Sequence, residues 1–241
     1  MLFKKKLMCC LALGISFLFV PQAHADWRGY VWTYEYMTMA QGAKEIEYYF
    51  TTEVPQTSTS NVNTMRHWLE LEYGLTDRWD IAGYLQYKQA NRKGETDFDY
   101  DGFKIRTRYR FGEKDKYLLD PLVYFEYKKD DVGSTPDKLE SKIILAKDIG
   151  KWNVSYNQVL DQELESSGRS NHGFAFGTNY QLDPRFKAGI EAKGSYTDDK
   201  YYVGPTLAWA PGKWWVSSGV VFGLDDRADS VQTRIIVGFP F

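Results

Sequence analysis

Residues 67–87 read HWLELEYGLTDRWDIAGYLQY, and the spacing within this stretch decides the fold. Leu69, Leu71 and Tyr73 alternate with Glu70 and Glu72, a period of two that suits a strand with one apolar and one charged face. Leu75-Thr76-Asp77-Arg78 interrupts the pattern. Trp79, Ile81, Leu85 and Tyr87 then resume it on the far side, with Asp80 on the opposite parity. Two alternating runs joined by a short polar connection predict an antiparallel hairpin.

The alternation continues outward from this hairpin along nearly the whole chain, and helical 3.6-residue spacing dominates no segment. Strands are predicted near 43–52, 63–74, 79–88, 100–111, 121–129 and 138–148. Six more are predicted near 152–160, 172–182, 185–195, 201–210, 214–224 and 230–241. Residues 75–78, Ile149-Gly150-Lys151, Asp183-Pro184 and Pro211-Gly212-Lys213 are tight connections, whereas 89–99 and 161–171 are longer and polar. Short turns at one end and longer loops at the other match the periplasmic and extracellular ends of an outer-membrane barrel, and an even strand count returns both termini to the periplasm.

Phe103, Ile105, Tyr109 and Phe111 extend the apolar parity, whereas a soluble sandwich would keep such residues on an inner face. A sheet that meets lipid must close on itself, because no water is present to satisfy an open edge. The expected fold is therefore all-β: a closed antiparallel up-and-down transmembrane β-barrel of twelve strands over residues 41–241, acting as a monomer. Trp79, Trp152, Tyr180, Phe186, Trp209 and Trp214 fall beside the short turns, where an interfacial aromatic girdle belongs. Pro205 interrupts this regularity by removing one ladder hydrogen bond.

The two chain ends point to the same compartment. Lys4, Lys5 and Lys6 precede an apolar run from Leu7 to Val20 and the small-x-small site Ala23-His24-Ala25, so residues 1–25 are expected to be a cleaved export signal. Cys9 and Cys10 leave with it, which removes disulfides, thiol chemistry and cysteine metal sites from the mature chain. Without the three lysines the net charge is about −5, and that mild acidity gives no reason to expect nucleic acid as a partner. At the other end Thr233, Ile235, Val237, Phe239 and Phe241 alternate down to a terminal Phe. In this the chain resembles bacterial outer-membrane proteins, and the resemblance implies that Phe239 and Phe241 form the signal read by the barrel-assembly machinery. The expected surroundings are the outer membrane, with its lipid and lipopolysaccharide.

If the apolar parity faces lipid, the other parity faces the lumen. The fourth strand then contributes Lys104, Arg106, Arg108 and Arg110, and the first three contribute Glu45, Glu47, Glu70, Glu72 and Asp80, with Glu126 on the fifth. Counting back from the connections places Glu45 opposite Glu72, Glu72 beside Asp80, and Asp80 beside Arg110. A second tier would hold Glu47, Glu70 and Arg108, with Arg106 beside Tyr84 and Glu126. Carboxylates that face one another need arginines or a bound cation between them. The opposite wall is small and neutral: Gly173, Ala175, Gly177 and Asn179, then Gly204, Thr206, Ala208 and Ala210, then Ser217 and Gly219. Two functions follow from this arrangement. Either the charges edge a water-filled pore that selects small polar or organic solutes, or they collapse into an ion-pair plug that stabilises a filled barrel.

Catalysis is not expected. His67 and His172 are the mature chain's only histidines and both fall on the lipid-facing parity. A membrane-embedded hydrolase needs a serine and an acid within reach of one of them. Ser170-Asn171-His172 is the nearest approach to that, but such a neighbourhood is common in polar loops, and rim histidines that contact lipid head groups are the simpler reading. Asp97, Asp99 and Asp101 could gather a divalent cation, although a solvated loop explains them more simply. No cofactor is expected. Residues 26–40 carry Tyr30, Trp32, Tyr34 and Tyr36 in strand-like alternation, yet a thirteenth strand would put the N-terminus outside the cell. A segment tucked into the lumen or beneath the barrel is expected instead.

Gly42-x-x-Glu45-x-Glu47 and Leu71-Glu72-Tyr73-Gly74-Leu75-Thr76-Asp77-Arg78-Trp79-Asp80 resemble the opening of a family of outer-membrane transporters associated with the phenol meta-cleavage pathway. The resemblance covers about the first third of the mature chain. It implies transport of small organic molecules and assigns no binding residue.

Overall fold

A computed structural model of the protein describes residues 27–59, 62–130 and 135–241, so the expected export signal lies outside the described residues. Twelve strands occur among the described residues. They are β1 (Lys44–Val54), β2 (Asn63–Thr76), β3 (Trp79–Arg92), β4 (Glu95–Arg110), β5 (Asp120–Lys129) and β6 (Lys138–Ile149), then β7 (Trp152–Glu163), β8 (Ser170–Asp183), β9 (Phe186–Ser195), β10 (Lys200–Trp209), β11 (Trp215–Gly223) and β12 (Val231–Pro240). Each pairs antiparallel with its sequence neighbours, and β1 pairs with β12 from Glu45–Pro240 to Val54–Val231, which closes the barrel.

The period-two pattern dictates what each face does. Leu69, Leu71, Ile81, Leu85, Ile105 and Phe125 stand exposed on the outside, while Glu70, Glu72, Asp80, Arg106 and Arg108 on the alternate parity are buried within. This is the reverse of a soluble protein's arrangement, and an apolar solvent around the barrel makes it stable. Aromatics ring the short-turn end: Trp152 meets Tyr180 edge to face at 4.9 Å, and Trp209 meets Trp214 at 5.5 Å. Phe239 and Phe241 project from the same end, and the Phe241 amide donates to the Lys44 carbonyl at 3.0 Å.

Several expectations need correction. Residues 89–99 are not a long loop, because β3 and β4 run on to a two-residue turn at Lys93 and Gly94, both with positive φ. Such a turn matches the right-handed twist of the flanking strands. Higher up the same hairpin the register shifts between Gln86 and Tyr87, leaving Asp101 without a strand partner and turning it inward. Asp101 is held there by Arg66 at 3.0 Å and Lys88 at 2.9 Å, whereas Asp97 and Asp99 stay exposed, so the three acids form no cation site. The cost of Pro205 is local: neither Gly204 nor Pro205 pairs with β11, and the ladder resumes at Thr206 opposite Gly219.

A closed sheet has no edge from which SDS can unzip it. The mature protein is expected to migrate on SDS gels as a compact species until heated and to give a β-type circular dichroism spectrum. Appreciable helix signal, or identical migration before and after boiling, would contradict the closed barrel.

Candidate functional site

The lumen is divided between two materials. Along β1–β4 it is a network of charged side chains. The Arg106 guanidinium reaches Glu70 at 2.5 Å, Glu72 at 2.7 Å and Asp80 at 3.1 Å, and its Nε donates to the Tyr84 hydroxyl at 3.0 Å. Arg108 pairs with Asp80 at 2.7 Å and also with Glu72. The Tyr49 hydroxyl links Glu70 at 2.7 Å to Glu47 at 2.5 Å, and the Trp215 indole donates to Glu45 at 2.8 Å. Each carboxylate is met by a cation or a neutral donor, so the facing acids Glu45–Glu72 and Glu47–Glu70 do not stand bare against one another.

The register behind this network differs from the expected one by two residues in two hairpins. Glu72 lies opposite Ala82 and not Asp80, because a bulge between Gly74 and Thr76 tightens the turn at Asp77-Arg78. Asp80 in turn lies opposite Arg108 and not Arg110. A slip of two keeps every side chain on its face and changes only its partner. Arg106 does lie opposite Glu126, but its head turns toward the acids of β2 and β3, and Lys104 pairs with Glu126 at 3.3 Å instead. Arg110 stands apart and donates to Thr38 Oγ1 at 2.8 Å and to the Asp77 carbonyl.

The second material is the N-terminal segment, residues 27–40, which rises from the short-turn end and lies against the small, neutral wall. Space on that wall is taken by this segment rather than by the long charged side chains across the lumen. A Cβ on Gly177 would stand 2.5 Å from the Tyr30 ring, and one on Gly219 would stand 2.7 Å from Val31 and 3.0 Å from Trp32. The side chain of Ser217 donates to the Arg28 carbonyl. Asn157 accepts from the Tyr34 amide at 2.7 Å and donates to the Tyr34 carbonyl at 2.9 Å, as a neighbouring strand would.

At the apex of the segment sits Glu191 of β9, fully buried. Its carboxylate accepts from the amides of Val31, Trp32 and Thr33, each at 2.8 Å. Successive backbone N–H groups converging on one anion form a nest, which disperses a buried negative charge without a counter-ion. The loop so held is closed across its base by Glu35, which accepts from the Gly29 amide at 2.7 Å. Farther down, Tyr36 donates to the Gly112 carbonyl at 2.7 Å, and Asp80 accepts from the Met39 amide at 3.1 Å. Burial raises the Tyr36 phenol above its ordinary value, which keeps it a neutral donor. Sequence reasoning did not single out Glu191 or Asn157. The available signal was a lone carboxylate standing between Lys187 and Lys193 on one parity of the strand predicted near 185–195.

Among the described residues a cavity lies at each end of the lumen. The outer one, about 370 Å³, opens toward the longer loops and is bordered by Lys104, Glu126, Lys128, Lys142, Lys193 and Arg234 among others. The inner one, about 400 Å³, lies beside the short turns and is bordered by Arg110, Lys147, Lys151 and Lys187 together with Tyr36. Arg28, Val31, Trp32 and Tyr34 face the outer cavity while Trp27, Glu35, Tyr36 and Met37 face the inner one, so the segment is a septum between them. His67 is occupied by the Tyr48 hydroxyl at 2.6 Å, and the Ser170 hydroxyl turns to Gln162 and not to His172.

An apolar outer belt around a closed twelve-stranded barrel with a charged lumen defines the outer-membrane β-barrel class. An outer-membrane channel from Pseudomonas putida F1 superposes with a TM-score of 0.66 at 12% identity, over 88% of this chain and 100% of that one. The KdgM porin, solved in complex with disordered oligogalacturonate, gives 0.56 at 12% identity over 82% and 98%. The NanC porin gives 0.53 at 10% identity over 83% and 99%. The likeness is one of fold. No protein-family model and no curated protein matches the sequence.

Proposed function

We propose that the protein is an outer-membrane channel that passes small polar or organic solutes, with residues 27–40 as its constriction. The supporting observation is the pair of cavities parted by the septum. A lumen filled only for stability would pack to interior density, with few voids larger than a water molecule. Here a solute-sized space stands on each side of a segment that no covalent bond ties to the wall beside it. Export through a cleaved signal and recognition of Phe239 and Phe241 by the assembly machinery belong to this reading. Neighbours of the same fold that are named as channels and porins agree with it.

One observation favours the runner-up, a structural barrel without transport. The centre of the β1–β4 network, Arg106 with Glu70, Glu72 and Asp80, borders neither cavity, and Arg106 is only 1% exposed. Single-channel recording on refolded protein separates the two. The intact chain is expected to conduct weakly, and deletion of residues 27–39 to raise the conductance several-fold. Silence in both forms would make the barrel structural.

A further inference from the structure

We propose that the outer cavity contains a binding site for a small organic carboxylate, formed by Lys193 and Arg234 together with the indole N–H groups of Trp32 and Trp68. The site deepens the channel reading by naming the class of solute, and it rests on that reading only for its biological meaning.

The two walls of this cavity treat charge differently. On the β4–β7 side each acid meets a lysine, and Lys128 is shared between Glu140 and Asp161. Glu126 meets Lys104 at 3.3 Å, Glu140 meets Lys128 at 2.9 Å and Lys142 at 2.8 Å, and Asp161 meets Lys128 at 3.4 Å. On the β9 and β12 side the cations have neutral partners. Lys193 donates to Gln232 Oε1 at 2.6 Å, while Arg234 donates to Thr51 Oγ1 at 2.9 Å and to the Val31 carbonyl at 3.2 Å. Two half-buried cations whose hydrogen bonds go to neutral acceptors can each take a charged acceptor, and a confined, low-dielectric space strengthens such a contact.

Aromatic rings supply the second, independent observation. Trp32 is 8% exposed, and its indole N–H is buried without an acceptor; the Trp68 indole N–H is in the same condition. A buried donor with no acceptor is costly, and native structures leave few of them. Both rings border the cavity beside these cations: Lys193 lies 5.1 Å from the Trp32 centroid, and Arg234 lies 5.8 Å from Trp32 and 5.0 Å from Trp68. Two cations suit a carboxylate, and the two unused N–H donors buried beside them gain an acceptor when the rings turn toward it. Flat aromatic walls suit the apolar face of the body that carries it.

Calorimetric titration of the detergent-folded mature chain tests the site without relying on transport, with benzoate, D-glucuronate and the uncharged benzamide as probes. At least one carboxylate is expected to bind, and benzamide at least about tenfold more weakly than benzoate if benzoate is the one that binds. Preference for benzoate assigns an aromatic acid, and preference for glucuronate a sugar acid. Lys193→Gln and Arg234→Gln should each weaken carboxylate binding about tenfold or more, the scale of one charged hydrogen bond. Arg234→Lys should recover part of the loss, and heat-dependent migration in SDS confirms that each variant is folded. Benzamide binding as tightly as benzoate, no carboxylate bound by the wild type, or unchanged affinity in both glutamine variants would each overturn the site. Binding in a barrel that does not conduct would remove the channel reading and leave the site standing. Conduction without binding would remove the site alone.

Discussion

Replacing Arg106 by alanine is expected to destabilise the barrel by about 3 to 5 kcal/mol, the usual cost of stranding buried charges by deleting their partner. The guanidinium is the one group in contact with Glu70, Glu72, Asp80 and Tyr84 together. Its loss leaves Glu70 with the Tyr49 and Tyr84 hydroxyls and Glu72 with Arg108, while Asp80 keeps Arg108 and the Met39 amide. Urea-gradient or thermal unfolding in lipid, read by tryptophan fluorescence, measures the change. Adding Glu70→Gln to the alanine variant should return part of the stability, because the stranded charge is removed. Arg110→Ala is the contrast, since Arg110 holds neutral acceptors beside the inner cavity and its loss should cost only about 1 kcal/mol. Equal effects at the two positions would mean that the network contributes nothing as a unit.

The same residues show how far the sequence could be read. Which face each side chain occupies was legible, because lipid outside and polar groups inside impose a period of two along every strand. Glu70, Glu72, Asp80, Arg106 and Arg108 are all on the inner parity and buried. The partners were not legible. They depend on turn geometry and on bulges, and the shifts between Gly74 and Thr76 and between Gln86 and Tyr87 change which residues face one another in the charged part of the lumen while leaving them on the inner face. The candidate site was harder still. Lys193, Arg234, Trp32 and Trp68 come from four separate stretches of chain, and only closure of the barrel brings them together. Likewise Gly177 and Gly219 revealed space on one wall, but nothing local stated that Tyr30 and Trp32 would fill it.

Glu191→Ala is expected to release the septum and leave the barrel intact. Three buried amides lose one ionised acceptor at once, and hydrogen bonds to a charged group contribute about 1.5 to 3 kcal/mol each. They share one carboxylate and will not add in full, so about 4 kcal/mol is a reasonable scale, and every 1.4 kcal/mol is a factor of ten in population. The docked-to-released ratio should then fall by nearly a thousandfold, with Asn157, Tyr36 and the Arg28 contacts to Tyr49 and Ser217 left to hold the segment. Two readouts follow from the geometry. Conductance should rise toward that of the chain lacking residues 27–39, and trypsin should gain access to Arg28, which is buried in the docked state. Glu191→Gln keeps the shape and one acceptor oxygen, and it should fall between alanine and wild type in both assays. Because Glu191 makes no contact with the Arg106 network, heat-dependent migration in SDS should not change, which separates release of the septum from loss of the fold. An alanine variant that conducts like the wild type and protects Arg28 as well would show that the nest does not hold the segment, and the constriction would have to be sought in the charged wall across the lumen.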